Sequence, residues 1–107
     1  MTLTLEQIHA LPDDKLCEAI SEVRESREKS TNAGCNWWVD DKYVWHPADW
    51  LIPENWTRLQ EEKKIDAVHF EGHEEWFALL PEQVYTMNIN LGRAVCEAWL
   101  YLNQEEK

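Results

Sequence analysis

The chain has 107 residues, of which 21 are Asp or Glu and 10 are Lys or Arg, so its formal net charge at pH 7 is −11. This length predicts one domain, residues 1–107, and a hydrophobic content of 44% is enough for a core. The acidity argues against direct binding of nucleic acid or of an anionic membrane, because both depend on Lys and Arg, and it favours a partner with a basic surface. No apolar run approaches the ~20 residues that span a bilayer, and no secretory leader is visible, so we expect a cytoplasmic protein.

The first thirty residues predict two helices. Thr4 followed by Gln7 is typical of a capping box, which would open a short helix. Pro12 suits the first turn of a second, longer helix. Residues 30–34 (STNAG) form a clear break after it. The apolar face of the longer helix would consist of Leu16, Ala19, Ile20 and Val23.

The middle of the chain predicts a hairpin and then a helix. Residues 36–46 (NWWVDDKYVWH) contain two aromatic and β-branched runs on either side of Asp40 and Asp41, and a single irregular loop is the competing interpretation. Pro53 would start the helix, with Lys63 in its last turn, where a positive charge favours the helix dipole.

The last third predicts two strands and a final helix. Residues 65–80 alternate as two strands with Gly72 in the connecting turn. Asn88 or Asn90 would cap the last helix, and residues 103–107 would form a frayed polar tail. The apolar stripe of this helix is Leu91, Val95, Ala98 and Leu102. The elements together predict a small single α+β domain in which helices pack on a short antiparallel sheet, in the order α-β-β-α-β-β-α.

Residues that could support catalysis or metal binding form no recognised motif. His69 and His73 are four apart but flank a turn, where such a pair does not converge on a metal as it would on a helix. Cys17 and Cys96 lie among helical residues, where a small buried thiol is expected. Arg93 should pair with a local carboxylate rather than with an external anion. We therefore predict no catalytic residues, no metal site and no cofactor, and hence no enzyme.

Tryptophan is the most unusual component of the composition. The chain has seven, and four of them lie between Trp37 and Trp50. Indole rings anchor protein interfaces and also stack on nucleobases. The alternative is that these rings cover the sheet and the following helix. The predicted binding residues in this segment are Trp37, Trp38, Tyr43, Trp45 and Trp50.

The acidic residues are concentrated in the last third of the chain. Residues 65–107 contain eight acids and two bases, a net charge of −6. We predict an acidic face that would meet a basic patch on a partner. This face is centred on Glu71, Glu74, Glu75 and Glu82.

Three stretches carry a resemblance to a known family: LTLEQIHALPDDKLCEAISEV, PADWLIPENWTRLQEEKKID and NLGRAVCEAWLYL. Their order resembles that of the phage ABA-sandwich domain family of small tailed-phage proteins. In that family an N-terminal helix leads to a Trp-containing segment, a helix, a strand pair and a final helix rich in small residues. The resemblance implies a phage accessory protein that acts on host machinery, in the cytoplasm of the infected bacterium.

Three functions remain open at this point. The leading one is a non-enzymatic inhibitor that binds a host protein, such as a component of antiviral defence, through an acidic and aromatic surface. The second is a sponge that sequesters a small nucleotide signal by aromatic stacking. The third is a structural phage accessory that acts as a homo-oligomer.

Overall fold

Two helices open the part of the chain that the computed structural model describes, which comprises residues 3–27, 36–81 and 84–104. α1 is Leu5–His9, and its predicted capping box is confirmed: Thr4 Oγ1 accepts the N–H of Gln7, and the Gln7 side chain accepts the N–H of Thr4. α2 is Asp13–Arg27. Leu16 and Ile20 on its predicted apolar face are fully buried.

The predicted hairpin is confirmed. β1 is Trp37–Val39 and β2 is Trp45–Pro47, and they pair antiparallel with Trp38 opposite His46. The hairpin packs against α2 through β2. It forms a two-stranded sheet of its own, separate from the sheet that follows.

α3, residues Pro53–Lys63, has Pro at its start as predicted. It ends at Lys64, whose left-handed backbone (φ 51°) lets its N–H reach the carbonyls of Gln60 and Glu61. This cap stops the helix and leads directly into the second sheet.

The second sheet has three strands, and the last of them was not predicted. β3 is Asp66–His69, β4 is Trp76–Leu79 and β5 is Tyr85–Asn88, in the order β3-β4-β5 with antiparallel pairing throughout. The prediction of only two strands here is wrong because the short segment YTMN has a weak local signal. It becomes a strand by pairing with β4, and Thr86 packs inward beside Ala78.

α4, residues Leu91–Gln104, lies at the centre of the fold. It packs against α1, α2 and α3 and also against β4 and β5. Asn90 caps it by accepting the N–H of Arg93. The predicted fraying from residue 103 is wrong: Asn103 and Gln104 are helical and buried, because the Gln104 side chain bonds both backbone groups of Leu3. Residues 105–107 lie outside the described residues.

Across the described ranges, no helix combines the length and apolar character required to cross a membrane. The α+β prediction is confirmed, and the chain runs α-α-β-β-α-β-β-β-α.

The contact between α3 and α4 depends on Gly92. A methyl group at this position would lie 2.5 Å from Cδ1 and 2.6 Å from Nε1 of Trp56. We expect Gly92→Ala to lower the free energy of unfolding by about 1–3 kcal/mol, because overpacking outweighs the better helix propensity of alanine. Chemical denaturation measures this change.

The matched control is the same substitution in a variant that also carries Trp56→Ala. With the ring removed, Gly92→Ala should instead stabilise the protein by about 1 kcal/mol through helix propensity alone. An effect of the same sign in both backgrounds would contradict the assigned contact.

Candidate functional site

The hairpin carries the most exposed aromatic side chains among the residues predicted to bind. Trp38 is 52% exposed, Trp45 64% and Tyr43 87%, and two exposed valines lie beside them. We call this set the hairpin surface: Trp38, Val39, Tyr43, Val44 and Trp45. By the strand register, Trp38 lies on one face of the hairpin with His46, and Val39 and Trp45 lie on the other. Scattered exposed apolar residues are ordinary, but five within eight residues make the hairpin the candidate site.

Trp50 does not belong to this surface, so its prediction as a binding residue is corrected. Its side chain is 0% exposed, and its indole N–H donates to Ser21 Oγ at 2.9 Å. The Arg24 guanidinium lies 5.0 Å from its ring centroid. Trp37, at the start of β1, is half-buried. The core explanation therefore holds for Trp50, and binding through the exposed rings of this segment stays a prediction.

The tip of the hairpin is a turn organised by Asp40. One carboxylate oxygen accepts the backbone N–H groups of Lys42 (2.8 Å) and Val44 (3.0 Å). Tyr43 completes the turn with a positive φ of 61°, a backbone region that residues other than glycine and asparagine rarely adopt. The strained backbone presents the Tyr43 ring to solvent.

Trp38 is held in place by its neighbours. Its ring stacks on His46 with centroids 4.5 Å apart, and its N–H donates to the Pro47 carbonyl at 3.2 Å. His46 Nε2 lies 2.8 Å from the second Asp40 carboxylate oxygen. This hydrogen bond, and after it the N–H of Val44, lower the pKa of Asp40 below its usual value. A charged carboxylate is therefore built into the hairpin beside the stacked rings.

A groove of about 290 Å³ runs from Trp38 to the start of α2. Three carboxylates border it, at Asp13, Asp14 and Asp49. Asp13 also accepts a hydrogen bond from Arg93 at 2.6 Å. We call this feature the Trp38 groove, and its lining residues are Asp13, Asp14, Cys17, Trp38, His46, Pro47, Ala48, Asp49 and Leu51.

The predicted acidic face lies on a different element. Glu71 and Glu74 are exposed and Glu75 is half-buried, and all three lie between β3 and β4. In that turn Gly72 has a φ of 88°, and the N–H of His73 donates to the Phe70 carbonyl. The aromatic and the acidic predictions therefore fall on separate sheets. Glu82 lies outside the described residues.

Sequence reasoning missed a second apolar surface. The side of the three-stranded sheet that faces away from α4 carries large exposed side chains, which we call the sheet surface: Phe70, Leu79, Tyr85, Met87 and Ile89. Tyr85, Met87 and Ile89 alternate with polar residues as in a half-exposed strand, but three apolar positions form too short a pattern to identify a strand.

The groups considered for catalysis or metal binding have structural partners. In the described part of the chain, no cluster of three or more His, Cys, Asp and Glu residues could hold a metal ion. His69 and His73 contact aromatic rings instead. Cys17 and Cys96 are buried free thiols as predicted, and burial raises the pKa of each, so that both remain protonated. Cys35 lies outside the described residues.

Comparison with protein-family models, with curated proteins and with solved structures found no match.

Proposed function

We propose that this chain is a non-enzymatic binding protein that covers a basic surface of another protein. The resemblance to small tailed-phage proteins suggests that this partner is a bacterial host protein, such as a component of antiviral defence, which the binding inhibits in the host cytoplasm. The observation that carries the proposal is the hairpin, which exposes Trp38, Tyr43 and Trp45 and holds the Trp38 ring, stacked on His46, beside carboxylates.

Tyr43 supports an external role for the hairpin. A left-handed backbone conformation raises the free energy of the folded state by roughly 1–2 kcal/mol for a residue with a side chain, a cost that glycine would avoid. With 87% of Tyr43 exposed, packing within the described chain does not offset this cost. Tyrosine and tryptophan dominate the energetic centres of protein interfaces, so a partner that buries Tyr43 and Trp45 would explain both residues.

The Trp38 groove supports a positively charged partner. Asp13 is already paired with Arg93, and the carboxylates of Asp14 and Asp49 attract a Lys or Arg side chain, while the Trp38 ring provides a cation–π contact. Because stacking on His46 already orients the ring, little side-chain entropy is lost on binding.

The same charges argue against the nucleotide sponge. A phosphate in the Trp38 groove would face three carboxylates, and phosphate recognition depends on cations. Arg93, which lies near Asp13, is buried and already hydrogen-bonded to Asp13 and Glu97. Its predicted pairing with local carboxylates is confirmed.

The test is capture of a partner from phage-infected host cells, followed by binding measurements with the purified partner. We expect Trp45→Ala to raise the Kd by about 30-fold or more, the effect of removing a hot-spot residue. We also expect affinity to fall as salt rises, because the groove contributes through charge.

The matched control is Phe70→Ala, which removes an aromatic ring of similar exposure from the other sheet and should leave the Kd unchanged. Failure of the chain to bind any host protein, or equal affinity of wild type and Trp45→Ala, would overturn the proposal. Quenching of tryptophan fluorescence by a small nucleotide would instead support the sponge.

A further inference from the structure

The three-stranded sheet leaves one face open, and we propose that this face binds a second copy of the chain. The inner face is closed by α4: Ala78 and Thr86 are buried, and Thr86 Oγ1 donates to the Ala94 carbonyl at 2.6 Å. Side chains alternate along a strand, so the residues on either side of Ala78 and Thr86 in β4 and β5 point away from α4. They form the sheet surface.

Phe77 joins the sheet surface into one continuous aromatic patch. Its half-buried ring lies between the rings of Phe70 and Tyr85, with centroid distances of 5.3 and 5.4 Å. Both contacts are edge-to-face, a favourable arrangement for aromatic pairs. Because neighbouring strands supply these rings, the patch is preformed and needs little reorganisation to bind.

The exposed apolar area of the sheet surface is smaller than a standard protein interface. Its five large residues are each between 42% and 67% exposed. At roughly 200 Å² for a fully exposed side chain of this kind, they present on the order of 500 Å². A standard interface takes about 800 Å² from each partner, so a stable partner must also cover the two ends of the sheet.

Exposed lysine lies at one end of the sheet and exposed glutamates lie at the other, among the described residues. Lys63 and Lys64 precede β3, with Asp66 beside them, whereas Glu71 and Glu74 follow β3 in the next turn. At about 3.3 Å per residue, the basic and acidic ends are separated by about 20 Å.

This arrangement is self-complementary in one orientation. Facing sheets pack about 10 Å apart, a gap that Lys and Glu side chains span together. If two copies face each other with β3 strands antiparallel, Lys64 of each copy lies opposite Glu71 and Glu74 of the other. The contact then forms twice, as a two-fold dimer requires. A parallel arrangement would place like charges together.

The first test is the oligomeric state by sedimentation equilibrium over a range of concentrations. We expect a dimer, and we expect Met87→Glu to raise its Kd by about 30-fold or more, because a charge enters the apolar patch. Trp45→Glu, on the hairpin surface, is the matched control and should leave the Kd unchanged. Circular dichroism checks that each variant folds.

The second test addresses the orientation with exposed residues that leave the core intact. Lys64→Glu and Glu74→Lys should each raise the dimer Kd by about fivefold, and the double variant should restore it. A wild-type chain that stays monomeric would overturn the proposal, as would a dimer that survives Met87→Glu or a double variant no tighter than the single ones. None of these measurements uses a host protein, so their result is independent of the proposed function.

Discussion

Replacement of Arg93 with methionine is expected to lower the free energy of unfolding by about 3–5 kcal/mol, the loss associated with breaking a buried ion pair. The Arg93 side chain is 8% exposed, and its Nε donates to Glu97 at 3.2 Å. Glu97 is itself only 2% exposed. Methionine fills much of the same volume but leaves the Glu97 carboxylate with His9, 2.9 Å away, as its nearest hydrogen-bond partner.

Arg93 also organises the connection between α1 and α2. Its guanidinium donates to the backbone carbonyls of His9 and Leu11 and to the Asp13 carboxylate. These bonds tie the first two helices to α4, so the substitution removes a tertiary link as well as a charge. Removing Arg93 leaves the buried Glu97 carboxylate without its cation, and a buried acceptor that loses its donor costs more than the net value of the bond.

Urea denaturation measures the effect, and Lys15→Met is the matched control. Lys15 makes only an exposed pair with Glu18 at 3.4 Å among the described contacts, so its replacement should change stability by less than about 0.5 kcal/mol. If the loss comes from the buried Glu97 charge that Arg93 no longer neutralises, Glu97→Met should recover part of it in the Arg93→Met background. A loss below about 1 kcal/mol for Arg93→Met would contradict the role assigned to this residue.

The second large effect is expected for Trp50→Ala, which should lower the free energy of unfolding by about 3–5 kcal/mol. The fully buried ring lies against Ser21 and Arg24 of α2, so the substitution leaves a cavity. It also removes the donor to Ser21, whose hydroxyl donates to the Asn36 carbonyl at 2.7 Å.

A milder variant removes the hydrogen bond together with only part of the packing. Trp50→Phe keeps most of the apolar ring but loses the N–H, and we expect a loss of about 1–2 kcal/mol. Thermal or chemical denaturation measures both variants. Trp45→Ala is the control, since a 64% exposed ring should contribute less than about 0.5 kcal/mol to folding. Equal losses at Trp45 and Trp50 would contradict the division of the tryptophans into core and surface.

These expectations separate stability from binding. Trp45→Ala should remove most of the proposed affinity for a partner and leave the free energy of unfolding nearly unchanged. Trp50→Ala should lower the free energy of unfolding, and at temperatures where this variant is folded its affinity should match that of the wild type. A binding defect that appears only in destabilised variants would indicate a structural role for the whole aromatic segment.

Short-range features of this protein follow from the sequence alone. The capping box of Thr4 and Gln7, the hairpin around Asp40 and the start of α3 at Pro53 all depend on groups within a few residues of one another. The burial of Val95 and Ala98 in α4 follows from their helical spacing, because the period of the pattern is local.

Tertiary structure decided the rest. β5 exists because β4 supplies its hydrogen-bond partners, and Gln104 is ordered because it reaches Leu3 at the other end of the chain. Sequence spacing does not distinguish Trp50 from Trp45, since both are indoles in one aromatic segment. Trp50 is buried because α2 and α4 bring Ser21, Arg24 and Cys96 around it, whereas the hairpin turns Trp45 into solvent. Burial depends on contacts between distant residues, and those contacts exist only once the chain has folded.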